Sequence, residues 1–366
     1  MDCGIVRAEG KKRGEEKKEN MSRLVLKHSI DGIEHLSFIS GPHFSPTDSI
    51  PLPFKTEDEI RGNSCRGLLY FSSYFETDFE DGKVVICNLA TKKLKLLTPP
   101  CYDAFYCDHG LGYDPVSDDY KVVRNHNPAT TAEVYSLRND CWRTIRGPGD
   151  DLRLDPECGV YLDGVSYWVT DSYTPEDGHR DLILAFDFTT ESFSRMPLPP
   201  PLRPPVNPPL LPGQYDKRFK VHVLDCDGCL GVVGWKRLAD HNGMVARHFE
   251  LWVYWGESWE GCFSVVLLDV ERPLGVRNGR LFLEGTNSCG HRHLMMYDWV
   301  NVELKEHAIY VEPPSRLVLL SYVENPVELV DADPLIDSVQ IPDEPPQKKA
   351  GRMVMQRCSF RRREKA

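Results

Sequence analysis

The chain has no run of about 18 consecutive apolar residues, so nothing in it reads as a membrane-spanning helix. The opening MDCGIVRAEGKKRGEEKKEN is charged where a secretory signal needs an apolar core. Its 12 cysteines keep no framework spacing, which favours reduced thiols in cytosol or nucleus over a secreted disulfide scaffold. The sequon at Asn20 is then expected to stay unmodified. Also missing are GxSxG, a P-loop, GxGxxG and HExxH, the spacings that supply a nucleophile, a phosphate cradle or a metal pair. Cys226 and Cys229 form a lone CxxC around an Asp-Gly turn, without the second pair that a zinc site needs. His291 and His293 sit in a loop-like stretch. No catalytic residue, metal or cofactor is expected.

Net positive charge is absent from the body of the chain. The formal charge of −11 divides into +3 for residues 1–28, +7 for 347–366 and −21 for 29–346. A body this acidic repels phosphate backbones, so nucleic acid is not an expected partner, and neither is a membrane. The two ends read as solvated tails.

What the sequence does contain is short runs of Val, Ile, Leu, Tyr and Phe broken by turn residues, the pattern of strands. Five segments place one apolar residue seven positions after another: Cys87 and Leu94, Tyr135 and Trp142, Phe186 and Phe193, Trp252 and Trp259, Tyr297 and Leu304. Seven residues suit two strands joined by a tight turn, with both side chains on one face. Arg66-Gly67, Asp163-Gly164, Asp227-Gly228 and Asn278-Gly279 precede four of these anchors by 18–24 residues. Such dipeptides favour hairpins in which both central residues have φ > 0. Each unit therefore reads as strands a, b, c and d, with the Gly turn between a and b. Anchor spacings of 48, 51, 66 and 45 residues match a β-propeller blade.

The ends complete the pattern. Residues 22–55 offer strands b, c and d without an a, and SRLVLLSYV at 315–323 is a strand without a unit. Pairing the two predicts an all-β, six-bladed, kelch-like β-propeller over residues 22–330, its ring closed by a C-terminal strand joining the N-terminal blade. Closure removes sheet edges that would otherwise recruit other strands. Residues 1–21 and 331–366 are expected to be a disordered charged segment and a disordered linker with a basic tail. Asp114, Asp118 and Asp119, crowded into GLGYDPVSDDYKVV, fall where other units carry the a–b turn. They read as a solvated turn rather than a calcium loop, which would need a Gly and a distal Glu.

In an antiparallel meander the a–b and c–d turns share one face and the b–c and d–a connections share the other. The second set is long and variable: residues 72–81, 99–109, 170–181 and 236–247. Variable connections on a rigid scaffold are where recognition resides. The candidate partner-binding side chains there are Tyr74, Phe75, Phe79, Tyr102, Phe105, Tyr106 and Tyr173, since aromatics anchor interfaces. Glu76, Asp78, Glu80, Glu176 and Asp177 beside them favour a basic target. Residues 197–212, with 9 Pro in 16 positions, read as an extended surface loop.

SCRGLLYF, GLGYDPVSDDYKVV, AEVYSLRNDCWRTI, ILAFDFTTESFSRMPLP and FELWVYWGESW, in that order, resemble the recurrent blocks of the F-box-associated, kelch-like domain of plant F-box proteins. The resemblance implies a non-catalytic substrate-recognition part of a Skp–cullin–F-box ubiquitin ligase, with a target protein as partner. Propeller enzymes and glycan-binding lectins are the alternative, supported by fold alone. The family starts with a helical F-box. Here 21 residues precede the first propeller strand and show no helical Leu period, so direct docking of a Skp adaptor is not expected.

The tail pairs Lys348 and Lys349 with Arg361, Arg362, Arg363 and Lys365 across an 11-residue spacer. Two basic clusters on an extended chain suit the acidic grooves of a nuclear import receptor. Nucleus and/or cytoplasm is the expected location.

Overall fold

The computed structural model describes residues 23–40, 45–55, 59–74, 84–97, 109–125, 129–149, 152–153, 159–174, 178–203, 220–239, 245–311 and 315–335. Apart from one 3₁₀ turn at Pro200–Leu202, every helix or strand element in them is a strand. The first unit holds β1 (Arg23–Ile30), β2 (Ile33–Ser40) and β3 (Ser45–Lys55). The second holds β4 (Glu59–Cys65), β5 (Leu68–Tyr74), β6 (Val84–Asn88) and β7 (Lys93–Leu97). Then come β8 (His109–Asp114), β9 (Asp119–Asn125), β10 (Thr131–Ser136) and β11 (Cys141–Arg146). The next group is β12 (Leu152–Arg153), β13 (Val160–Leu162), β14 (Val165–Thr174), β15 (Gly178–Asp187) and β16 (Ser192–Pro197). It is followed by β17 (Lys220–Cys226), β18 (Cys229–Ala239), β19 (Val245–Trp255) and β20 (Ser258–Leu268). Last are β21 (Val270–Arg277), β22 (Arg280–Thr286), β23 (Arg292–Asp298), β24 (Glu303–Val311), β25 (Val318–Tyr322) and β26 (Asp333–Pro334).

Turn chemistry sets this pattern. Both residues of Arg66-Gly67, Asp163-Gly164, Asp227-Gly228 and Asn278-Gly279 have positive φ, the requirement of a tight hairpin that follows the strand twist. A second device recurs between strands c and d. Asn88, Ser136, Asp187 and Asp298 end strand c and accept backbone N–H groups of Ala90, Asn139, Thr189 and Thr190, and Val300 and Asn301, at 2.8–3.1 Å. Each turn closes on a left-handed residue: Lys92, Asp140, Glu191 or Val302. The anchors then stand directly opposite one another: Cys87 and Leu94, Tyr135 and Trp142, Phe186 and Phe193, Tyr297 and Leu304. One pair expected from the spacing does not form. Trp259 faces Tyr254, ring centroids 5.1 Å apart, and Trp252 faces Gly261, because only Gly256 and Glu257 separate the paired Trp255 and Ser258, a turn two residues shorter than the other c–d turns.

Hydrogen bonding divides the described strands into five sheets, where the sequence pattern suggested six units. The largest joins two meanders, β17–β20 and β21–β24, through one parallel pair, Cys226 with Val276. The inner strands β25, β4, β8, β13, β17 and β21 touch in turn, and β21 touches β25 again. Between neighbouring units lie shared apolar clusters: Val25 and Leu52 with Phe71 and Val85, for example, or Val134 with Trp168 and Phe186. Full burial of such a side chain contributes about 1.5–3 kcal/mol. Trp168 is wholly enclosed, which explains two glycines. A Cβ on Gly110 or Gly159 would stand 2.7 or 2.5 Å from its indole.

The lone strand behaves as its sequence requires. β25 pairs antiparallel with β1, Arg23 opposite Tyr322 and Lys27 opposite Val318. Ahead of it, Ser315 donates to Glu34 at 2.6 Å, and Glu34 meets Lys27 at 3.0 Å, all three buried. Burial pulls the Lys27 pKa below its ordinary value, against the opposing pull of Glu34. Beyond β25 the chain crosses the second unit as a strap. Asn88 donates to the carbonyls of Asn325 and Val327 at 2.8 Å, Lys95 donates to Val330 at 3.0 Å, and β26 pairs with β7.

Three expectations need correction. Residues 331–335 are ordered: β26 and the buried Leu335 belong to the strap, not to a disordered linker. The Pro-rich stretch is not wholly a surface loop, because Leu198 and Leu202 are buried against Ile183, Val223 and Val232 of neighbouring sheets; its part at 204–212 lies outside the described residues. The acids between β8 and β9 form a turn, but not a solvated one. Asp114 and Asp119 are 3% and 4% exposed. Asp114 accepts from Val116 N–H, Ser117, Lys121 and, across the sheet boundary, Thr189. Asp119 accepts from Ser136 and Arg138 N–H. Lys121 also reaches Glu191 at 2.8 Å, tying the third unit to the fourth.

Two outcomes follow. Glu34→Gln leaves Lys27 enclosed without its counter-charge and should cost about 3–5 kcal/mol in urea unfolding; a loss below about 1 kcal/mol would refute the role given to this pair. Burial acts to raise the Asp114 pKa, yet Lys121 and three other donors carry it well below the ordinary carboxylate range. A depressed folded-state pKa stabilises above the unfolded value of about 4 and is lost as pH falls through the folded value. Asp114→Asn should therefore cost about 2 kcal/mol at neutral pH, a difference that shrinks below pH 4 in pH-resolved thermal melts.

Candidate recognition face

The a–b and c–d turns put the Gly dipeptides and the capped turns on one face of the ring, here the turn face. The opposite connection face carries the b–c and d–a crossings. A central cavity of about 1020 Å³ is lined by β4, β13, β17, β21 and β25. Eight Arg and Lys line it against three Asp and Glu. The basic residues stand at strand ends on the connection face: Arg61 in β4, Lys220 in β17, Lys236 and Arg237 in β18, Arg247 in β19, Arg272 in β21, Arg292 in β23, and Arg316 just before β25. Asp225 lies toward the turn face, beside the Asp227-Gly228 turn. The positive charge is therefore concentrated at one mouth.

Three guanidinium groups are held in place. Glu284, 1% exposed, meets Arg272 at 3.3 Å and Arg292 at 3.6 Å and accepts the Leu317 N–H at 2.9 Å. Arg272 also donates to the Leu317 carbonyl at 2.7 Å, and Arg292 to that of Ser315. Arg247 pairs with Glu271 at 2.5 Å. The same contacts fix the start of the closing strand, so the mouth and the closure share one network. Burial, with the nearby charges of Arg316 and Arg272, pulls the Arg292 pKa below its ordinary value despite Glu284.

The sequence-predicted aromatics are only partly placed. Tyr74 ends β5 opposite Glu59, and Tyr173 lies in β14 opposite His179. Residues 170–181 are thus no open loop, since pairing runs out to Thr174 and Gly178. Likewise β18 and β19 pair out to Ala239 and Val245. Phe75, Phe79, Tyr102, Phe105 and Tyr106 lie outside the described residues, with the five neighbouring acids, residues 1–21 and the tail residues Lys348, Lys349, Arg361, Arg362, Arg363 and Lys365. The described charges on this face are positive at its centre, opposite in sign to the acids that suggested a basic target. The basic mouth was missed because its members are isolated in sequence, and only the ring gathers them.

Other chemical groupings are structural in geometry. Cys226 and Cys229 face each other across the Asp227-Gly228 turn, and burial pushes the Cys226 thiol up to about 12, far from a reactive thiolate. No cluster of three or more His, Cys, Asp or Glu suited to a metal occurs among the described residues. His248 bonds Ser264 at 2.7 Å and approaches Glu250 at 3.7 Å, but through the same Nε2. A catalytic triad needs the carboxylate on the opposite ring nitrogen. His28 bonds Ser37 at 2.8 Å, and burial pushes the imidazole down to about 4.

Residues 44–205 match the F-box associated beta propeller domain. Among similar proteins of Arabidopsis thaliana, a putative F-box only protein 15 is 33% identical over 149 residues, 37% of this chain and 36% of the relative. A putative F-box/kelch-repeat protein is 28% identical over 198 residues, half of each chain. The chain thus spans half or less of these relatives. Solved structures superpose more loosely. TolB from Acinetobacter baumannii gives a TM-score of 0.47 at 10% identity over 83% of this chain and 67% of its own. The SapL1 lectin gives 0.47 at 11% over 81% and 95%.

Proposed function

From the match of residues 44–205 to the F-box associated beta propeller domain, we propose that this chain recognises a target protein for a Skp–cullin–F-box ubiquitin ligase through its connection face, without catalysis of its own. The observation that carries the reading is a closed ring whose turn face is built from short, internally capped turns, whereas its connection face opens onto the central cavity. Recognition sites favour such openings on rigid scaffolds. The Arabidopsis relatives are named for their F-box, which supports a ligase setting. Among the described residues no α-helix occurs, so adaptor docking is assigned to none of them.

Affinity purification of the full chain should recover a target whose yield falls at least about tenfold when residues 240–244 and 75–81 are replaced by Gly and Ser. Replacing the exposed turn-face residues Lys92, Val116 and Val300 with Ala should leave recovery unchanged. Dependence on the turn face alone would overturn the reading, and sugar-array binding without a protein target would replace it with a lectin.

We further propose that the tail directs the protein to the nucleus through its two basic clusters. A fluorescent fusion of residues 340–366 should concentrate in nuclei, and Arg361, Arg362 and Arg363→Ala should disperse it. An even spread of the parent fusion would remove this proposal.

A further inference from the structure

The basic mouth is at odds with the rest of the chain. Residues 29–346 carry −21, yet this one lining sets eight Arg and Lys against three acids. Like charges brought together repel, and the cost rises where water is displaced. The fold supplies Glu284 for Arg272 and Arg292 and Glu271 for Arg247. Among the described residues it supplies none for Lys220, Arg237 and Arg316, which are exposed and enter no ion pair or hydrogen bond there. The anchored guanidinium groups are tied to the fold by these pairs, and among the described residues nothing competes with an incoming anion for the other three.

Resting on the recognition reading above, we propose that this mouth takes a short acidic segment of the target protein, one bearing phosphoserine or clustered carboxylates. Arginine forks suit both groups because they donate two parallel hydrogen bonds to a pair of oxygens. Size favours a segment over a folded surface, since about 1020 Å³ holds a few side chains only. Charge disfavours a long polyanion: nucleic acid leaving the mouth would cross an acidic body. Strand-wide nucleic-acid binding also needs stacking aromatics in series, and the lining offers Tyr161 and Trp235.

The test presents the full-length chain with three libraries of short degenerate peptides, alike except for a central pair of phosphoserine, Glu or Ser. The phosphoserine or Glu library should be retained at least about tenfold over Ser, and less so as salt rises. The triple variant K220E/R237E/R316E should fall to the Ser level, with its thermal melt unchanged because none of the three joins the ion pairs or hydrogen bonds among the described residues. R146E, an exposed charge on β11, serves as the control and should behave as wild type. Equal retention of all three libraries would overturn the proposal, as would retention indifferent to the triple reversal. Displacement by equimolar inorganic phosphate would make the mouth a small-anion pocket, and tighter binding of single-stranded DNA would make it a nucleic-acid site; either result also overturns it. If the triple variant still captures its target from cells, this inference falls and the recognition reading stands. If wild type captures none, the recognition reading itself falls.

Discussion

Everything in this molecule depends on the pairing of β1 with β25. An open row of twisted sheets would leave an unpaired strand edge at each end and an apolar flank with no neighbour. The pairing removes both, and the Lys27–Glu34–Ser315 cluster holds it in register. A buried ion pair is an uncertain source of net stability, because desolvation offsets most of the attraction. Its stronger effect here is on specificity: another strand offered to β1 would leave Lys27 and Glu34 enclosed without the Ser315 hydroxyl.

Closure and the basic mouth are built from the same residues. Glu284 fixes Arg272 and Arg292 at the cavity mouth and accepts the Leu317 N–H at the entrance to the closing strand. The strap then fastens the turn face through Asn88, Lys95 and Asn325. The second unit is thereby covered on that side by the protein's own chain, and the basic mouth lies on the opposite face.

Local features were legible in the sequence. Asp-Gly and Asn-Gly mark hairpins because their φ requirement is met within two residues, and the seven-residue pairs report a turn of fixed length. The Trp252 and Trp259 pair failed for a local reason too: the turn between them is the two-residue Gly256-Glu257 rather than a four-residue one, so every position beyond it pairs two residues further along. Nonlocal features were not legible. Asp114 looked solvated because its partners Lys121 and Thr189 come from the next strand and the next sheet. Arg61, Arg237 and Arg316 carry no shared signal along the chain, since their neighbourhood is created by a circle rather than by a spacing.

The distance between the two closing strands also has a consequence for biosynthesis. Lys27 and Ser315 are separated by 288 positions. At about 5–20 residues per second, β1 leaves the ribosome roughly 15–60 s before its partner exists. During that interval its apolar residues Leu24, Val25 and Leu26 have one sheet neighbour instead of two. The ring therefore cannot close while the chain is still being made, and a message truncated before residue 315 would leave the β1 edge open permanently.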